Sequence, residues 1–410
     1  DLFEELGQWS GTKTLSLETN FRFSRQASAN LSGLRQELIA ASNSGSSPPD
    51  STRILEDSLD GGDFEDLNRN IELISPDYSV AVLTRDNATA LRASAILWDS
   101  GIPHQLRQPQ RDRPVAGWIA GVFDSSNSLT SEKMAERISE LSATSPVSPS
   151  NTERAWRILS QLDRGGAQTG SIRGNEVAAS IRMGRAPAEL TERNHQRITV
   201  STIHRAKGLE FDVCLIVEPY ANRNGVNALE IRILFVALTR ARHDVMHVAT
   251  PGIAGNAWWT KDQRSGGRFV KRTMRHRSTL GIEVRVDDSD PSVPPGFHSP
   301  NYDSQAIQQK LRTQVFAGDK VTLARRETGA LGLDGFNIIH ETEGLIGITQ
   351  IGFDECAQQN SPGRLPAGVS GLYVQDIETV AGDNQTASAA GLGNSGLWLR
   401  PRIAGLGDFS

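Results

Sequence analysis

Cysteine is scarce in this chain: Cys214 and Cys356 are the only two in 410 residues. They stand far apart, with no CxxC pair and no His/Cys cluster, which excludes a disulfide framework and a cysteine-built zinc site and points to a reducing compartment. An excess of positive charge is also missing. Lys and Arg number 43 against 48 Asp and Glu, a net −5, so no global field advertises a nucleic-acid partner and any such site must be a local patch. Apolar runs such as Phe235–Leu238 fall far short of the ~20 residues of a membrane span. No charged-then-apolar leader opens the sequence. The expectation is a soluble, cytoplasmic protein with no membrane partner. What is present, 37% hydrophobic and 22% charged residues, is the composition of a globular chain, and the length suits roughly two to three domains. The chain opens at Asp1 within an apparent helix, Asp1-Leu-Phe-Glu-Glu-Leu6, which suggests that an upstream portion precedes it.

Short apolar strands alternate with amphipathic helices from residue 1 to 108. Thr14–Glu18 has period two, and Leu31, Leu34, Leu38 and Ile39 recur at helical spacing after a cap at Ser24. Tyr78–Leu83 reads as a strand, followed by a helix capped by Asp86 or Asn87 and stopped at Gly101. Strands separated by helices imply a parallel sheet. Residues 109–190 read as a helical insertion, with helices marked by Met134, Ile138 and Leu141 and by Trp156, Leu159 and Leu162. The sheet resumes over 191–255 with strands Ile198–Thr202, Val213–Val217 and Val245–Ala249 and a helix from Ala228 to Arg242, making about five strands in all. Residues 256–299 read as a linker, basic and then acidic and proline-rich. Over 300–410, alternating segments at Lys320–Ala324, Phe336–His340, Gly344–Ile351, Leu372–Ile377 and Leu397–Arg402 predict a small antiparallel β domain. The fold class is therefore α/β: a parallel-sheet lobe with a helical insertion, then a β-rich C-terminal domain.

Three stretches carry candidate chemistry. In Leu17–Ser24 an aromatic ring, Phe21, stands beside Arg22 just past a strand; the ring can stack on a base while the guanidinium grips a phosphate. An ordinary helix entry with a surface Arg explains the same triplet. The second stretch, Ile198-Thr-Val-Ser-Thr-Ile-His-Arg-Ala-Lys-Gly-Leu-Glu-Phe-Asp212, places Thr202 and His204 where they can bond nucleic-acid phosphates. In the same stretch Gly208 permits close backbone approach, and Glu210 can accept from a ribose hydroxyl. A plain polar crossover does not explain the whole string. In the third, Leu229–Arg242, the residues Thr239, Arg240 and Arg242 are expected at the C-terminal end of a helix, where cations are also common for dipole reasons alone.

In order and spacing these stretches resemble motifs IV, V and VI of the UvrD/Rep/PcrA-type superfamily 1 DNA helicases. Thr84-Arg85, Leu91 and Gly101-Ile-Pro103 resemble that family's motif IVa, so the likeness covers residues 1 to about 250, with 109–190 in the place of a reduced 2B subdomain. The resemblance implies a second RecA-like lobe of a P-loop NTPase. It implies that Phe21 stacks on adenine, that Arg22 contacts the γ-phosphate, and that Glu210, with Gly208 beside it, holds the ribose or organises the γ-phosphate side. Arg240 would be the arginine finger, a role worth ~10³ or more in rate, and Thr202 and His204 would touch single-stranded DNA. ATP with Mg²⁺, single-stranded DNA and 3′-to-5′ movement are implied with them, in repair, recombination, plasmid maintenance or phage defence.

One departure from the family matters. No GxxxxGK[ST] phosphate loop exists; Gly11-Thr-Lys-Thr14 lacks the upstream glycine and leads into a strand. The first lobe, with its nucleotide cradle and Mg²⁺ ligands, is not in this sequence, and no metal site is expected in it. The expectation is a fragment of a longer enzyme, inactive toward ATP by itself, whose partner lobe is supplied in cis or in trans. The alternative is a non-catalytic DNA-binding or regulatory subunit with a helicase-like lobe. Trp258-Trp259 and the cations Lys261, Arg264, Arg268, Lys271, Arg272, Arg275 and Arg277 read either as a DNA contact or as a solvated linker. The terminal β domain reads as a protein- or DNA-binding accessory unit, with Asp376 and Glu378 on a solvent face.

Overall fold

The computed structural model describes residues 35–36, 38–40, 58–107, 114–144, 151–163, 170–191, 196–217, 228–249, 257–260, 267–272, 278–297, 299, 301–326, 335–361 and 365–410. The expected strand at 14–18 and the Leu17–Ser24 stretch, including Phe21 and Arg22, lie outside the described residues. Of the helix expected through Leu38 and Ile39, residues 35–36 and 38–40 are described and helical.

The lobe begins with β1 (Leu59–Asp63), helix α1 (Leu67–Glu72), β2 (Val80–Thr84), helix α2 (Asn87–Asp99) and β3 (Gln105–Leu106). Its second part holds β6 (Ile198–Thr202), β7 (Phe211–Val217), a helix at Ala228–Leu238 and β8 (Ala241–Ala249). These strands form one sheet in the order β1-β8-β7-β2-β6-β3, with every pairing parallel. All five residues of β2 and of β6 are buried, as a parallel strand covered on both faces requires. Alternation then decides which layer each residue enters. Val80, Val82 and Leu215 pack with Leu67, Leu91 and Leu97 on one face, and Ala81, Leu83, Cys214 and Ile216 pack with Ile203, Ile233 and Leu234 on the other. Helix α2 starts because the Asp86 carboxylate accepts from the Thr89 N–H at 2.8 Å, and it ends before Gly101, which turns the chain at φ +69°.

Among the described residues the sheet has six strands: those expected near 78–83, 198–202, 213–217 and 245–249, and two more. The short β3 and the Leu-Asp-Gly-Gly-Asp of β1 carry too little apolar periodicity to announce themselves. The helix expected to reach Arg242 stops at Leu238, because parallel pairing with β7 recruits the chain from Ala241 onward. Arg240 therefore sits in the turn and Arg242 on a strand.

The described part of residues 109–190 contains β4 (Ser128–Thr130), β5 (Ser171–Arg173) and helices α3 (Trp118–Phe123), α4 (Ser131–Thr144), α5 (Thr152–Leu162) and α6 (Gly174–Arg182). In chain order the helix at Ala228–Leu238 is then α7. The terminal sheet has eight strands in the order β14-β13-β12-β15-β16-β11-β10-β9. They are β9 (Ala257–Thr260), β10 (Arg268–Arg272), β11 (Thr279–Val284), β12 (Lys320–Arg325), β13 (Phe336–His340), β14 (Gly344–Ile348), β15 (Gly368–Ala381) and β16 (Leu397–Phe409). Helices α8 (Ser304–Thr313), α9 (Ile351–Asn360) and α10 (Asn384–Ala389) complete the chain. The stretch 256–299, read as a linker, contributes β9, β10 and β11 to this sheet. Its charge disguised it, since Arg268 is 5% exposed and lies against Asp288.

The insertion and the terminal sheet share one hydrophobic core, in which Phe123, Met134, Leu159 and Val177 meet Val284, Phe336, Val374 and Ile403. Polar contacts reinforce the join: the Thr379 hydroxyl donates to Ala116 O at 2.7 Å and accepts from Ala120 N–H at 3.0 Å. The terminal sheet also docks on the lobe. Val286, Ala404 and Leu406 enter the lobe core, Lys320 pairs with Asp99 at 2.8 Å, and Gly318, at φ +96°, lies against the Trp98 ring where no side chain would fit.

Glu378 is not on a solvent face. It is 5% exposed and its carboxylate accepts from Arg400 Nε at 2.6 Å and Arg402 Nη1 at 2.8 Å. The alternation used to place it outward holds only for a sheet with one wet face; here Thr379 faces the insertion, and on the other side, that of Glu378, Arg400 donates to Ser289 O and Ala404 and Leu406 enter the lobe core.

Candidate functional site

Strand β6 ends at Thr202, level with Thr84 at the C-terminal end of β2. The chain must then return to the opposite end of the sheet to start the parallel strand β7, and it does so in the eight residues 203–210. Parallel strands usually need a longer crossover, often a helix, and this one also passes over β2, which lies between β6 and β7. Here Ile203 and Ala206 are buried against the sheet face, and backbone bonds from Arg205 and Ala206 N–H to Thr202 O, at 3.0 and 3.1 Å, tighten the turn. Gly208 adopts φ +87° with open space around the place of a Cβ. Glycine is required there by conformation, not by crowding. Thr202 is 6% exposed, and His204 is exposed on the crossover.

Glu210 ends the crossover at the other edge of the sheet. The level is fixed by register: Val213, three residues on, pairs with Val80 at the start of β2. Beside it, the Arg240 guanidinium donates from Nη1 to Leu209 O at 3.1 Å, from Nε to Val236 O at 3.1 Å and from Nη2 to Thr239 Oγ1 at 2.9 Å. Arg240 O accepts from Phe211 N–H at 2.9 Å. The turn after α7 and the end of the crossover are thus stitched into one edge. Gly208, Glu210 and Arg240 come together there, while Thr202 and His204 are grouped at the C-terminal end of β6.

Five neighbours join this edge that sequence reasoning did not place in the site. Arg242 Nε donates to Glu210 Oε2 at 3.2 Å, and its Nη1 is 4.0 Å from Asp212 Oδ1. Asp212 accepts from the Ser79 N–H at 2.8 Å and the Ser79 hydroxyl at 2.7 Å. Those Ser79 bonds, ahead of the nearby Arg242 and His243, hold its carboxyl below the usual range. Tyr78 stacks on His243 with centroids 5.2 Å apart. The available signal was spacing: Glu210 and Asp212, like Arg240 and Arg242, stand two apart where the chain enters β7 and β8. Cys214, directly behind, is buried, which pushes its thiol up to about 12 and leaves it as core.

Within the basic stretch, Arg268 is buried against Asp288 through two 2.6 Å bonds, and Lys271 pairs with Asp408 at 2.7 Å. Both are committed to the terminal sheet. Among the described residues no helix is long and apolar enough to cross a membrane.

Residues 197–248 match the family model described as the UvrD-like helicase C-terminal domain. The chain carries a UvrD-type helicase C-terminal region. Thr202, His204, Gly208, Glu210, Arg240 and Arg242 all fall inside the UvrD-like match. Similar curated proteins are the ATP-dependent DNA helicase UvrD2 of Mycobacterium bovis and of two strains of Mycobacterium tuberculosis. Each is 24% identical over 299 residues, covering 63% of this chain and 38% of the relative. The chain thus spans well under half the length of the curated relatives it matches.

Proposed function

We propose that this chain is the second RecA-like lobe of an ATP-driven, single-stranded DNA helicase of 3′-to-5′ polarity, facing a triphosphate held by a first lobe supplied in cis or in trans. The observation that carries the reading is the meeting of Glu210, Gly208 and Arg240 on one sheet edge, in a region that matches UvrD-like helicases. In this reading Glu210 accepts from the ribose, Arg240 turns toward the transferring phosphoryl group, and the resemblance adds Phe21 on the adenine and Arg22 on the γ-phosphate. Thr202 and His204, grouped at the far end of β6, contact single-stranded DNA. A crossover of eight residues joins the two places, so displacement at one is transmitted through a short, sheet-packed segment to the other. The Mg²⁺ ligands and phosphate loop belong to the first lobe, and these 410 residues alone turn over no ATP.

A second reading, a non-catalytic DNA-binding or regulatory subunit, is favoured by one fact. The Arg240 guanidinium makes three bonds within its own lobe, which suits a structural arginine. Arg240→Ala separates the two. In the assembled enzyme a finger role predicts a fall in DNA-stimulated ATP turnover of ~10³ with nucleotide binding largely kept. Normal turnover alongside a lowered melting temperature would establish the structural role instead.

A further inference from the structure

The sheet edge around Glu210 holds a line of polar side chains that the motif pattern alone does not require. Ser79, just before β2, fixes Asp212 on β7 through its N–H and its hydroxyl. Asp212 lies 4.0 Å from one arm of Arg242 on β8. The same guanidinium donates through Nε to Glu210 Oε2 at 3.2 Å. Arg242 therefore spans the carboxylates of Glu210, at the end of the crossover, and Asp212 on β7, and the planar fork fixes its orientation as well as its charge. Its side chain is 50% exposed and that of Glu210 is 27% exposed, so solvent reaches both members of the pair.

We propose that Arg242 is a positioning residue for nucleotide-sugar recognition, holding the Glu210 carboxylate in the rotamer that accepts from a ribose hydroxyl. The inference rests on the reading in which Glu210 faces the sugar. A carboxylate on a strand end has free χ angles, and fixing them before the ligand arrives removes an entropic cost from binding. Arg242 also offsets the repulsion between Glu210 and Asp212, two residues apart on one strand. An exposed ion pair contributes little to folding, so its removal should register at the ligand and not in the melting temperature.

The test uses the assembled enzyme, this chain with the lobe bearing the phosphate loop, at saturating single-stranded DNA. KM and kcat are measured for ATP and for 2′,3′-dideoxy-ATP, which lacks the hydroxyls. Glu210→Ala should erase the KM preference for ATP. Arg242→Ala should raise the KM for ATP by ~2–5-fold, the range of an exposed ion pair, with kcat nearly unchanged and no effect on the dideoxy nucleotide. Arg242→Lys should recover part of the loss. If Glu210→Ala erases the preference and Arg242→Ala leaves it whole, the positioning role is wrong and the sugar reading survives. If Glu210→Ala leaves the preference intact, the sugar reading itself fails and takes this inference with it. An equal fall of kcat for both nucleotides in Arg242→Ala would show a structural role and overturn the proposal.

Discussion

In the parallel lobe, charged side chains stand at the ends of strands whose interiors are aliphatic: Glu210, Asp212, Arg240 and Arg242 edge a sheet built on Val80–Leu83 and Val213–Val217. In the terminal sheet the charges lie inside. Arg268 meets Asp288, Arg400 and Arg402 close on Glu378, and Asp354 is buried near Arg326. The same residue types thus serve different ends. Half-exposed charges contribute little to folding but remain available to a ligand, whereas buried ones are expensive to remove singly and are out of a ligand's reach. Among these groups, the lobe edge keeps its charges in reach of solvent, and the terminal sheet pairs its charges with one another inside its own fold.

The sharpest way to break that contrast is Glu378→Ala. It strands Arg400 and Arg402, which are 7% and 2% exposed, and loss of one partner in a buried ion cluster costs ~3–5 kcal/mol. Denaturant unfolding should show a large drop in the midpoint, and Glu378→Gln should recover only part of it. A loss below about 1 kcal/mol, the range of a surface pair, would mean that this cluster is solvated and that the two sheets do not differ.

A smaller effect is expected from Asp354. Burial pushes its carboxyl up to about 7, against the hydrogen bond from Thr349 and the nearby Arg326, with Asp288 adding to the rise. Between the ordinary carboxylate range and about 7 the folded state binds more protons at this group than the unfolded chain. Stability therefore falls as pH rises through that window, by roughly 1–3 kcal/mol. Asp354→Asn should flatten this slope, seen as unfolding midpoints that change less between pH 5.5 and 8 than those of the unaltered chain. An unchanged slope would assign the pH dependence elsewhere.

How much of this was legible in the sequence follows the same division. Strands Ile198–Thr202 and Phe336–His340 were read to the residue because apolar or alternating patterns have no competing explanation there. Gly208 and Glu210 stood out in the polar string after Ile198–Thr202, whereas Arg240 was singled out by the resemblance to the helicase motifs; its guanidinium bonds to Leu209 O, between those two crossover residues. Phe21 and Arg22 lie outside the described residues. The end of the Ala228–Leu238 helix was misread, since local helical spacing continues to Arg242 while the ladder with β7 claims Ala241. The strands within 256–299 and the burial of Glu378 were hidden for one reason. A charge neutralised by a partner more than a dozen residues away looks, in the sequence, like a charge in water. Arg242 was visible as a residue but not as a member of the site, because its partner Glu210 is distant in sequence and adjacent only through strand pairing.

The smallest expected effect tests the lobe side of the comparison. Ser79→Ala removes the hydroxyl that donates to Asp212 at 2.7 Å and accepts from its N–H at 3.0 Å, while the backbone bond from Ser79 N–H to the carboxylate remains. A single hydrogen bond at a partly exposed site contributes about 1 kcal/mol, so the unfolding midpoint should fall slightly at pH 7. The sign with pH is fixed by the direction of the Asp212 shift. Because Ser79 holds that carboxyl below its ordinary range, the stabilisation is present at neutral pH and is lost as the pH falls through the folded-state value. The difference between the two proteins should therefore shrink in acid, the reverse of the trend expected for Asp354. A loss at pH 7 as large as that of Glu378→Ala would show that the lobe edge is also held together by its charges, and that Asp212 supports the strand ends rather than the ligand-facing line through Arg242 to Glu210.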